Sequence, residues 1–121
     1  MILVDTSVWI DHLRSEVEAL TALLNDGRAL AHPFVIGEVA MGSLRDRGRT
    51  LARLNQLPQA PVARHPAVME LVERSELYGT GLTYIEAALL ASTRLFPGAK
   101  LWTRGHRLDE QAMELGISVH L

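Results

Sequence analysis

The chain opens on Met1-Ile2-Leu3-Val4-Asp5-Thr6-Ser7-Val8-Trp9-Ile10-Asp11, an apolar run ended by a carboxylate. A short Ile/Leu/Val stretch reads as a strand buried on both faces, the environment of a parallel sheet. Asp5 then falls at the strand's carboxyl end, the edge where open α/β sheets hold their ligands. Thr6 or Ser7 is placed to cap the helix that follows, which leaves the acid facing a turn. Two readings of Asp5 stand at this point: a cap or turn residue, or one arm of a metal site.

Outward from that stretch, helices and short strands alternate. Apolar residues at Val8, Ile10, Leu13, Val17, Leu20, Leu23 and Leu24 have helical spacing, with a break near Arg14-Ser15 and a stop at Asn25-Asp26-Gly27. Residues 28–31 read as a second strand. Pro33 starts a helix through Leu44, Gly48 interrupts, and a further helix through Leu51 and Leu54 ends before Pro58. After the connector Pro58-Gln59-Ala60-Pro61 comes a helix over 67–77, stopped by Gly79-Thr80-Gly81. Thr83 caps the next helix, which ends at Phe96-Pro97-Gly98. Leu101-Trp102-Thr103 reads as a strand, residues 106–115 as a helix and 117–121 as a final strand. Such alternation predicts a parallel sheet in an α/β sandwich.

The 121 residues suit one domain, and 48% hydrophobic content permits a real core. Without cysteine there is no disulfide framework, thiol nucleophile or Cys-zinc site. No apolar run approaches the roughly 20 residues of a membrane span, and the opening run reads as a strand, so a soluble cytoplasmic protein is expected. The net charge of −2 does not announce a nucleic-acid binder. Arg45, Arg47, Arg49 and Arg53 form a cluster, either a phosphate-binding patch or a solvated helix end.

Three acids stand among apolar neighbours: Asp5, Glu38 within Phe34-Val35-Ile36-Gly37-Glu38-Val39-Ala40-Met41, and Glu86 within Tyr84-Ile85-Glu86-Ala87-Ala88-Leu89-Leu90-Ala91. Carboxylates are rarely buried without a partner. Several that converge repel one another unless a cation intervenes, and oxygen ligands without thiols suit Mg²⁺ or Mn²⁺. Spacing alone leaves other partners open: an Arg for Glu38, or a helix amino end for Glu86.

At these stretches the chain resembles the PIN-domain ribonucleases, specifically the VapC-type toxins of bacterial toxin–antitoxin pairs. The residues 2–11 resemble that family's opening. Pro33-Phe34-Val35-Ile36-Gly37-Glu38-Val39-Ala40-Met41-Gly42 is similar to its second motif, Gly81-Leu82-Thr83-Tyr84-Ile85-Glu86-Ala87-Ala88-Leu89-Leu90-Ala91-Ser92 to its third, and Leu101-Trp102-Thr103-Arg104 to its fourth. The likeness spans essentially the whole chain.

The resemblance implies a single PIN domain over residues 1–121, a three-layer α/β sandwich with a parallel sheet of four to five strands flanked by helices. It implies Mg²⁺- or Mn²⁺-dependent cleavage of single-stranded or loop RNA, a VapB-type antitoxin as partner, and a homodimer. Asp5 becomes a direct metal ligand, and Glu38 an acid that shapes the metal pocket. Glu86 stands where the family usually has Asp, one methylene shorter. Thr103 matches the family's small hydroxyl residue, and Thr6, Thr103, Arg104 and Arg107 fall on the substrate side. The face of Leu51, Leu54 and Leu57 either receives a partner helix or is core.

The chain departs from the pattern at Gly105, where the family commonly places a fourth acid. Asp109 lies about a helical turn further on, with a surface position expected, and His106 is a phosphate donor or a structural residue. Asp11 is expected to pair with an Arg. The departure supports an alternative, a catalytically weakened PIN domain that mainly binds antitoxin or RNA. A response-regulator receiver fits poorly, because Lys100 begins its strand and no acid pair follows Val4.

Overall fold

The computed structural model describes all 121 residues. The opening apolar run forms β1 (Ile2–Val4), the central strand of a parallel sheet. On one side lies β2 (Ala29–Leu30), with Leu3 opposite Leu30; on the other lies β3 (Lys100–Trp102), with Leu3 opposite Leu101. Leu3, Val4, Leu30 and Leu101 are fully buried. Strands without an exposed face require helices above and below, which makes the α/β sandwich three layers deep.

The sheet is narrower than the sequence suggests. Beyond β2, Gln59 makes a single parallel bridge to Ala31, and beyond β3, Ser118 makes one to Leu101. Pro58 has no N–H to donate to β2 and Pro33 has none to donate to the Ala60 carbonyl, so the ladder at Gln59 cannot lengthen. The expected final strand over 117–121 is reduced to that bridge and the hydrogen bonds around it. The sheet therefore has three strands and two bridged margins.

The first helical stretch splits as its spacing predicts, into α1 (Thr6–Arg14) and α2 (Glu18–Asn25). The helix begun by Pro33, α3 (Pro33–Ala40), stops four residues short of Leu44. Gly48 does not interrupt anything: it lies in the first turn of α4 (Arg47–Gln56), and the break falls before it, where Asp46 takes φ 46°. Arg47 closes that junction by donating to the carbonyls of Ala40 and Gly42. This member of the arginine cluster is spent on capping the carboxyl end of α3. Helix α5 (His65–Arg74) packs against α6 (Tyr84–Leu95), and α7 (His106–Glu114) against β3.

Because the strands are parallel, β1, β2 and β3 all deliver their following residues to one edge. Helix α6 turns into β3 through only residues 96–99, so it runs back along the strand and its amino end lies at the same edge.

Candidate functional site

Asp5 leaves β1 at this edge and is 7% exposed. It caps α1, in keeping with one of its two sequence readings, but its oxygens are treated unequally. Oδ2 accepts from Ser7 Oγ at 2.7 Å, Thr103 Oγ1 at 2.8 Å and the Ser7 amide at 3.4 Å. Oδ1 has no donor within the chain, yet it is not sealed from solvent: the one sealed, unpartnered side-chain polar atom is Trp9 Nε1. One oxygen is clamped and the other faces out.

The clamp is itself braced. Ser7 Oγ accepts from the Arg104 amide at 3.0 Å, and Thr103 Oγ1 from the Gly105 amide at 2.9 Å. Ser7 is thus a carboxylate donor, a role the sequence reading missed in treating it as a cap. The available signal was its position two residues past an acid at a strand end, where a hydroxyl and that acid share one turn.

Glu38 is exposed on α3, which corrects the expectation of an acid in a buried setting. The other face of α3 is the apolar one, carrying buried Val35 and Val39. Glu38 is nevertheless brought to the site, because its Oε1 accepts from Thr6 Oγ1 at 2.8 Å. Thr6 adjoins Asp5, so the two acids meet through the first turn of α1.

Glu86 lies half-buried in the first turn of α6, at the same edge. Its carboxylate accepts from the Thr83 amide at 3.0 Å, while Thr83 Oγ1 accepts from the Glu86 amide at 3.2 Å. This is a complete capping box, which gives Glu86 the helix-end role that spacing left open. The three acids share an edge without forming a cage: no three acidic or imidazole side chains converge closely enough to enclose an ion.

The remaining candidates divide. Arg104 pairs with Asp11 at 2.7 Å, both half-exposed, as expected for Asp11. Arg107 reaches across to the loop before α6, where its guanidinium lies over Gly81. That glycine has φ +87°, and a Cβ there would overlap the guanidinium. Gly105 caps α7 without a side chain. Asp109 does not replace the missing acid. It accepts from Ser118 Oγ at 2.6 Å and meets His120 Nε2 at 2.8 Å, tying α7 to the carboxyl-terminal segment. Burial pushes its carboxyl up, but the Ser118 and His120 hydrogen bonds and the charges of His120 and His106 outweigh this and hold it below the usual carboxylate value. His106 bridges to Glu110 on the helix surface, 2.8 Å away.

Away from this edge, α1, α2 and α4 enclose a groove of about 470 Å³. Trp9, Leu13, Leu24, Leu54 and Leu57 line it, with Arg53 and His12 among the polar residues. Leu54 is buried and Leu51 and Leu57 pack against the core. The core reading of that leucine face holds, although Leu54 and Leu57 also line the groove.

An acid at the carboxyl end of a central parallel strand, with two others on the flanking helices, is the arrangement to set beside known proteins. Residues 2–114 match the PIN domain family, and the chain belongs to it. Within that class it falls in with the VapC-type proteins: it is 48% identical over 119 residues to ribonuclease VapC32 from two strains of Mycobacterium tuberculosis, an alignment covering 98% of this chain and 96% of the relative.

Proposed function

We propose that this protein is a Mg²⁺- or Mn²⁺-dependent endoribonuclease that cuts single-stranded or looped RNA, acting as the toxin of a type II toxin–antitoxin pair. The observation that carries the reading is Asp5, with Oδ2 held by three donors and Oδ1 turned outward, in a chain 48% identical to a ribonuclease. The donor set fits a hard cation: carboxylates and hydroxyls, no thiol, and no closed cage. Mg²⁺ usually keeps several waters and takes one or two protein carboxylates. Asp5 would hold the ion directly, with Glu38 and Glu86 reaching it through water.

When bound, such an ion supplies Lewis-acid polarisation of phosphate oxygens and acidification of water. The chain's own residues do the rest. Ser7 and Thr103 fix the Asp5 rotamer, Glu38 or Glu86 orients the attacking water and takes its proton, and Arg104 and Arg107 bring positive charge for the flanking phosphates. Thr6 holds Glu38 beside Asp5.

The test is cleavage of single-stranded RNA by wild type and Asp5→Asn with either ion and with chelator. Wild type cuts, chelator stops it, and Asp5→Asn loses at least about a hundredfold, about 2.7 kcal/mol of the several that such a centre contributes. Wild type inert with both ions overturns the reading.

The groove between α1, α2 and α4 supports a VapB-type antitoxin as partner, because Leu13, Leu24 and Leu57 give it an apolar lining that a helix could fill. Leu13→Glu is expected to weaken co-purification with the product of the adjacent gene while leaving RNA cleavage intact; unaltered co-purification excludes this face. A homodimer in the cytoplasm completes the proposal. No helix is long and apolar enough to cross a membrane. The second reading, a weakened nuclease that mainly binds, is favoured by Gly105 alone.

A further inference from the structure

The two tryptophans, Trp9 and Trp102, are 4% and 3% exposed, whereas Tyr84 stands 43% exposed at the start of α6. Its ring is not loose. The hydroxyl lies 2.8 Å from His65 Nδ1, and the two rings lean together with centroids 5.4 Å apart and planes 38° from parallel. His65 begins α5, which follows the segment bridged in parallel to β2, so it too reaches the carboxyl edge. The Arg107 guanidinium over Gly81 lies three residues before Tyr84 in the chain. An ordered aromatic plate, a guanidinium and the carboxylates of the candidate site therefore share one edge.

Carboxylates repel a phosphate backbone, and a net charge of −2 gives little general attraction. Nucleic acid at such an edge gains from a grip that does not depend on charge, beside the one that Arg104 and Arg107 supply. Stacking supplies it, because every unpaired base offers a π-face to tyrosine or histidine. Tyr84 and Glu86 are two residues apart and leave the first turn of α6 on opposite sides. A base on one and a phosphate near the other would straddle the helix end.

We propose that Tyr84, braced by His65, is the stacking platform for an unpaired base of the RNA whose phosphate enters the carboxylate site, and so positions the substrate. The proposal rests on the ribonuclease reading above. Its test uses a short single-stranded RNA cut by wild type, with 2-aminopurine placed at successive positions around the cut. In Tyr84→Ala, KM rises about tenfold while kcat changes far less, in line with the loss of one base–aromatic stack. Tyr84→Phe keeps the ring and restores KM to within about threefold. In the Asp5→Asn background, binding quenches 2-aminopurine at one position, and Tyr84→Ala abolishes that quench. Tyr84 is half-exposed, so thermal unfolding is expected to move little and reports any misfolding. Wild-type KM and quenching in Tyr84→Ala, with Asp5→Asn inactive, overturn the platform and leave the ribonuclease reading standing. Wild type that neither cuts nor binds RNA overturns both.

Discussion

At Asp5 the two oxygens of a single carboxylate are treated differently, and its neighbours decide which one is clamped and which one faces out. Ser7 is the test of that division, since its hydroxyl donates to Oδ2 at 2.7 Å and accepts from the Arg104 amide at 3.0 Å. Ser7→Ala takes away one of the two hydroxyl clamps on Oδ2 and the partner of the Arg104 amide, at a cost of about 1 kcal/mol. The expected outcome is a melting point lowered by several degrees and an Mn²⁺ requirement for half-maximal cleavage raised about tenfold, as for other residues that orient a ligand. An unchanged Mn²⁺ titration would separate the clamp from ion binding. Gly105→Asp probes the missing acid. A Cβ there meets Thr103 Oγ1 at 3.3 Å, so the hydroxyl must give by a few tenths of an ångström, while the new carboxylate caps α7. Cleavage is expected to rise with the melting point within about 3 °C, because replacing a glycine cap is worth only tenths of a kcal/mol. No gain in cleavage would show that three acids suffice. Asp5 was legible in the sequence because a strand end is a strong positional signal. Ser7 was not, because a hydroxyl there serves equally as a cap or as a donor to one.

In helix α6 one side chain caps an element and is also proposed for the site. Glu86 completes the capping box with Thr83, and the same carboxylate is the third acid of the candidate centre. Two substitutions pull these apart. Gln also closes a capping box, so Glu86→Gln is expected to unfold within a degree or two of wild type while cleavage falls at least tenfold. Glu86→Ala loses both, adding about 1 kcal/mol of instability. If Glu86→Gln retains full cleavage, the residue is a cap and nothing more. The capping box was half visible in the sequence, as Thr83 preceding an apolar run with Glu86 three residues on. That the capping carboxylate also lies at the carboxyl edge depends on where the strand edge puts the helix end. Boundaries at α3 and α4 were misread for a related reason. Gly48 looks like a breaker, but a first-turn glycine is tolerated, and the break was set by Asp46 at φ 46° and by Arg47 turning back onto the end of α3.

Across the whole molecule, the alternation of helix and strand was enough to read a parallel α/β sheet, whereas its width was not. The prolines that stop the margin at Gln59 were in plain view, but which segment they would border depends on the packing of distant elements. The same long-range dependence hides His32, which reads as part of a His-Pro step that ends the second strand and is in fact a buried tie. Its Nδ1 accepts from the Phe34 amide at 3.0 Å, which leaves Nε2 to donate to Ser92 Oγ at 3.0 Å, and that oxygen also accepts from the Ala63 amide at 3.1 Å. Three remote parts of the chain, the β2–α3 junction, the connector before α5 and the middle of α6, meet at one neutral imidazole. Burial holds its pKa below the ordinary histidine value. Above an unfolded value of about 6.5 both states are neutral and the network is intact. As pH falls through that value the unfolded chain takes up its proton first, so stability drops until the lowered folded pKa is reached. The contribution of this residue to the slope is at most about 1.4 kcal/mol per pH unit. Urea denaturation between pH 7.5 and about 5 is therefore expected to show declining stability in wild type. His32→Asn, which keeps a cap but not the titrating ring, should be less stable at pH 7.5 and should decline less steeply. Parallel curves for the two proteins would mean that the buried imidazole is not what ties the fold to pH.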